Sequence, residues 1–92
     1  MLIPKQVKIG AITYKVIVTD GWHGIEGADG ENFSTIKMGN TIYINSTLTQ
    51  EMKELTFLHE MMHAMNSTIS HEFLDSLANQ LYQTLKDANL LK

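Results

Sequence analysis

Thr49-Gln50-Glu51-Met52-Lys53-Glu54-Leu55-Thr56-Phe57-Leu58-His59-Glu60-Met61-Met62-His63-Ala64-Met65 is the stretch from which the rest of the chain is read. From Met52 to Met65 it contains neither Gly nor Pro. Met52, Leu55, Leu58, Met62 and Met65 recur at three- and four-residue steps, the period of a helix, while Phe57, Met61 and Ala64 take the opposite side. Ser46-Thr47-Leu48-Thr49 is rich in residues that cap helix N-termini, and Gln50 and Glu51 suit a first turn. The spacing predicts a helix over about 49–66. It is apolar nearly all round, so it is expected to be sandwiched in the interior.

Three polar side chains in so apolar a helix need partners, because a buried unpaired polar group costs on the order of 1–3 kcal/mol. His59 and His63 stand four apart and project from one face, where both imidazoles can reach one zinc ion. Glu60 lies about 100° round from His59, placed to act on a water as general base rather than as a ligand. A lone His on an apolar face is more often satisfied by local hydrogen bonds. A His pair enclosing this Glu points to a metal site.

A catalytic zinc needs a third protein ligand. Asn66-Ser67-Thr68-Ile69-Ser70 breaks the first helix and caps a second over about 71–90, with Phe73/Leu74, Leu77/Ala78, Leu81, Leu85 and Ala88 as its expected buried stripe. Glu72, in the first turn of that helix, is the leading candidate. His71 is the main rival and Asp75 a weaker one. Asp75 and Asn79 are also candidates to hydrogen-bond a ligand His from behind.

Upstream the pattern alternates. Val7-Lys8-Ile9 and Ile12 to Thr19 read as a hairpin around Gly10. Asn32 to Met38 and Thr41 to Asn45 form a second, joined by Gly39-Asn40. The expected fold is α+β: a small twisted antiparallel sheet of two hairpins over about 5–45, followed by two packed helices on one of its faces. An edge strand between Phe33 and Asn45 is a candidate to pair with an extended peptide. Gly21, Gly24, Gly27 and Gly30 punctuate residues 20–30, a loop whose large groups are Trp22, His23 and Ile25. His23 and Tyr43 are candidate substrate or oxyanion contacts, against plainer roles in which Trp22 plugs the core edge and His23 is solvated. Tyr82 on the last helix is open in the same way.

Three stretches carry a family resemblance: Ile42-Tyr43-Ile44, Leu58-His59-Glu60-Met61-Met62-His63-Ala64, and Glu72-Phe73-Leu74-Asp75-Ser76-Leu77-Ala78-Asn79-Gln80-Leu81-Tyr82. With the first hairpin, Pro4 to Ile9 and Tyr14-Lys15-Val16, they resemble the gluzincin metallopeptidases. The likeness is to short zincin-like proteins of phages and prophages, distantly similar to the ImmA/IrrE metallo-endopeptidases. The resemblance implies zinc on His59, His63 and Glu72, and Glu60 as catalytic base. The interval between His63 and Glu72 is shorter than in larger gluzincins, and the longer ImmA-like chains are implied to cleave regulatory proteins such as phage repressors.

The chain's 92 residues make one domain without repeat or low-complexity tract. There is no Cys, so neither a disulfide nor a thiolate zinc site is available, and a metal is a candidate staple for so small a scaffold. A formal charge of −3 with no Arg gives no basic patch, so direct nucleic-acid binding is not expected. No apolar run suits a signal peptide or a membrane span, and the expected compartment is the cytoplasm, that of the bacterial host if the chain is phage-encoded. Two function classes follow: a zinc-dependent peptidase acting on a peptide or protein substrate, or a catalytically silent, zinc-stabilised module that binds a host or phage protein. Nothing in the sequence fixes the oligomeric state.

Overall fold

The computed structural model of the chain describes residues 2–19 and 35–91. Among the described residues four strands precede two helices: β1 (Gln6–Ile9), β2 (Ile12–Thr19), β3 (Thr35–Met38), β4 (Thr41–Asn45), α1 (Gln50–Met65) and α2 (His71–Asp87). The architecture is α+β. Both expected hairpins form. Each closes through a two-residue turn, between the pairs Ile9↔Ile12 and Met38↔Thr41. Gly10 and Gly39 open these turns at φ 61° and 59°, while Ala11 and Asn40 keep negative φ, the pattern of type II′. No atom lies within 4 Å of a Cβ built at either glycine, so the requirement is backbone conformation alone. Gly39→Ala is expected to cost about 1–2 kcal/mol from that conformation, readable as a lower urea midpoint at unchanged slope.

The sheet is mixed rather than antiparallel throughout. Strand order is β1-β2-β4-β3, and β2 pairs with β4 in parallel, Val16 opposite Ile42 and Val18 opposite Ile44. The second hairpin places its second arm beside β2, leaving β3 at the edge. An alternating pattern fixes which face a strand buries but not which arm of a hairpin takes the centre. The apolar content of β4 suits the inner place: Ile42 and Ile44 are wholly buried, with Tyr14, Val16 and Phe57 of α1 completing the core.

The same device opens both helices. Asn45 Oδ1 accepts hydrogen bonds from the Thr47 amide (3.0 Å) and hydroxyl (2.8 Å), and Thr49 then caps α1 by accepting from Met52 N. Asn66 Oδ1 accepts from the Thr68 amide (3.1 Å) and hydroxyl (2.6 Å), and Ser70 caps α2 by accepting from Phe73 N. In Asn45-Ser46-Thr47-Leu48-Thr49 and Asn66-Ser67-Thr68-Ile69-Ser70 a side-chain turn stops one element and a hydroxyl starts the next. The far end of α2 falls at Asp87, earlier than expected, because Asn89 adopts φ 60° and the Leu90 and Asn89 amides donate back to Leu85 and Lys86.

The helices stack outward from the sheet instead of lying side by side on it. Among the described residues α1 packs on β4, β3 and β1, and α2 packs on α1 with no comparable contact to any strand. The expected sandwiching of α1 is therefore incomplete. Phe57 and Glu54 are buried, but Met52 and Met65 are exposed, since so small a chain cannot cover every face. The expected stripe of α2 is borne out at Leu74 and Ala78, but the buried face is narrower than expected, with Tyr82 added. Leu74, Ala78 and Tyr82 are buried, whereas Phe73 (60% exposed), Leu77 and Leu81 face outward. Among the described residues no helix is long and apolar enough to cross a membrane.

A polar contact accompanies this setting of α2. The Tyr82 hydroxyl donates to Glu54 Oε1 across the helix pair (2.9 Å), and Gln50 Nε2 donates to Glu54 Oε2 (3.0 Å). Burial pushes the Glu54 pKa upward, but favourable interactions including these two hydrogen bonds leave it below its ordinary 4.5. A lowered folded-state pKa means stability that is present above the unfolded value and is lost as pH falls through the folded one. Acidification below about pH 4.5 is thus expected to lower the urea midpoint, and Glu54→Gln to flatten that part of the profile. An unchanged acid limb in the variant would assign the loss to other groups.

Candidate metal centre

The inter-helix cleft of α1 and α2, ≈ 480 Å³, gathers the candidate chemistry. Met52, Leu55, Thr56, His59 and Glu60 line it from α1, a stripe at steps of three, one, three and one that places all five on one side of the helix. His71, Asp75, Ala78 and Asn79 line it from α2. His59 and Glu60 thus open into the same space, as the motif predicts.

His59 Nδ1 donates to Asp75 Oδ1 at 2.9 Å. A carboxylate oxygen accepts, so the shared proton is on His59 Nδ1, and Nε2 is the ring nitrogen left without this bond. This is the arrangement in which a carboxylate orients a metal-ligating His from behind. The His59 side chain is 17% exposed and Asp75 lies at the cleft rim.

Three imidazoles are neighbours, although His63 is not among the residues that line the cleft. Ring centroids are 6.4 Å apart for His59 and His63, 5.8 Å for His59 and His71, and 4.9 Å for His63 and His71. Rings sharing a tetrahedral zinc at about 2.0–2.1 Å from nitrogen would have centroids about 5.2 Å apart; the His59–His63 spacing of 6.4 Å exceeds that, and the His59 and His71 rings are stacked at 20° rather than converging. The trio's donors, neutral nitrogens beside a carboxylate, are of the kind zinc prefers. In this conformation no group of three or more His, Cys, Asp or Glu among the described residues could hold a metal ion.

Of the other candidates, Glu72 is exposed in the first turn of α2 and has no hydrogen bond or ion pair among the described residues. Asn79 lines the cleft but donates its amide to the Asp75 carbonyl (2.7 Å) rather than to an imidazole. Tyr43 sits between Ile42 and Ile44 on β4 and therefore points to the opposite face of the sheet, away from α1 and the cleft. That excludes it from the inter-helix site. Tyr82 serves the Glu54 bond. His23 and Trp22 lie outside the described residues, as do the first three residues of the expected strand from Asn32.

His71 is the residue that counting along the sequence undervalues. Its offset from His63 rules it out only if α1 continues unbroken. The Asn66 turn and Ser70 cap restart the helix instead, making His71 the first residue of α2. The repeated Asn-Ser-Thr device is the sequence signal for that restart. No protein family, curated protein or solved structure matches the chain.

Proposed function

We propose that the chain is a minimal zinc-dependent peptidase-like protein, with His59 and His63 as two of the zinc ligands and Glu60 as general base. The single observation that carries this reading is that Glu60 opens into the same cleft as His59 and has no hydrogen bond or ion pair among the described residues. Bound zinc would supply carbonyl polarisation and a water acidic enough to attack near neutral pH. The chain's own residues do the rest: Asp75 fixes the His59 ring, and Glu60 takes the proton from the attacking water and returns it to the leaving amine. Leu55 and Ala78 give the cleft part of an apolar wall.

The same cleft supports a second reading, favoured by one observation: it is lined by both His71 and Asp75. If both joined the metal, four protein ligands would close the coordination sphere, as in a structural site, and the chain would act as a binding module. The deciding experiment incubates protein carrying one zinc per chain with an unfolded protein substrate and follows products by mass spectrometry. Cleavage that stops on chelation and returns with zinc is expected. A stoichiometric zinc protein that cuts nothing favours the binding module.

A further inference from the structure

We propose that His71, not Glu72, is the third protein ligand of this centre, giving a three-imidazole site in which Asp75 positions His59; the inference rests on the zinc reading above.

Helical geometry separates the two candidates. Taking His71 as origin, Leu74, Asp75, Ala78 and Tyr82 fall within about 60° of it on the side of α2 that meets α1, while Glu72 is displaced by about 100°. The buried stripe, the Asp75–His59 bond and the Tyr82–Glu54 bond all fix this setting independently. Bringing Glu72 round would unwind all three. His71 already lies against both motif rings. His71 is exposed and His63 half-buried, and neither has a hydrogen bond to another described residue, so no such bond ties either ring in place. The Asn66 turn and Ser70 cap fix the backbone that delivers His71, so little ordering of the connection is needed on binding.

Metal-free full-length protein titrated with Co²⁺, read by visible absorption and by stoichiometry, tests the assignment without any appeal to activity. The wild type is expected to bind one ion with the strong absorption of a tetrahedral site. Glu72→Ala is expected to match it within about twofold. His71→Ala and His71→Gln should each weaken binding at least about 100-fold and alter the spectrum. Asp75→Asn should weaken it by about 10–100-fold while leaving the spectral shape intact, as expected of a residue acting through His59. Circular dichroism of each metal-free variant controls for folding. Loss of binding in Glu72→Ala with His71→Ala unaffected overturns the proposal, as does a ligand-loss spectrum in Asp75→Asn with His71→Ala silent. In both of those cases the zinc reading survives. A wild-type protein that takes up no Co²⁺ or Zn²⁺ removes the zinc reading, and this inference with it.

Discussion

Glu60→Gln is expected to bind zinc as the wild type does and to hydrolyse peptides about 10²–10⁴-fold more slowly, the usual contribution of a positioned general base. The substitution keeps the side chain's size and hydrogen-bonding reach, and no described residue depends on the Glu60 carboxylate for a bond. Stability should therefore change little. What disappears is the capacity to accept a proton, since an amide does not do so near neutral pH. Paired measurements of zinc stoichiometry, unfolding midpoint and kcat/KM isolate that loss. A variant that retains zinc and loses less than tenfold in kcat/KM would falsify the role given to Glu60.

Phe57→Ala should have the largest effect on the fold. Phe57 is 2% exposed and is the most deeply buried α1 side chain in the core of Tyr14, Val16, Ile42 and Ile44, with Met61 and Ala64 packed against the same cluster. Removing a buried phenyl costs about 3–5 kcal/mol, the lost transfer energy plus that of the cavity left behind. Domains have only about 5–15 kcal/mol in total, and one this small sits toward the low end. The metal-free variant is expected to be largely unfolded at 37 °C by circular dichroism. Excess zinc should recover part of the structure, because an ion that binds only the folded chain stabilises it by mass action. A loss under about 1 kcal/mol would mean that α1 is anchored elsewhere.

Much of this was legible from residues alone, for local reasons. The period of Met52 to Met65, the caps at Thr49 and Ser70, and the turn glycines Gly10 and Gly39 are preferences of a few neighbouring residues, and α1, α2 and both hairpins form where those preferences place them. His59, Glu60 and Asp75 were nameable because spacing along one helix, and one turn into the next, says which side chains share a face. On α2 the expected stripe took in Leu74 and Ala78, which are buried, together with Phe73, Leu77 and Leu81, which are not, because both sets repeat at the same period; the bonds from Tyr82 and Asp75 to α1 accompany the first.

By itself, then, the sequence determined the elements, their boundaries to within a few residues, the α+β class and the helical placement of the His-Glu-His motif, all of which depend on backbone preference and side-chain period. Tertiary structure alone decided that β4 lies parallel to β2, that Tyr43 faces away from the cleft, and that His71 rather than Glu72 lies against the motif rings. Those outcomes turn on which surfaces bury one another and on the setting of α2, held by its buried face and by the bonds from Asp75 and Tyr82 to α1. No local pattern encodes either, because each is settled by partners far apart along the chain.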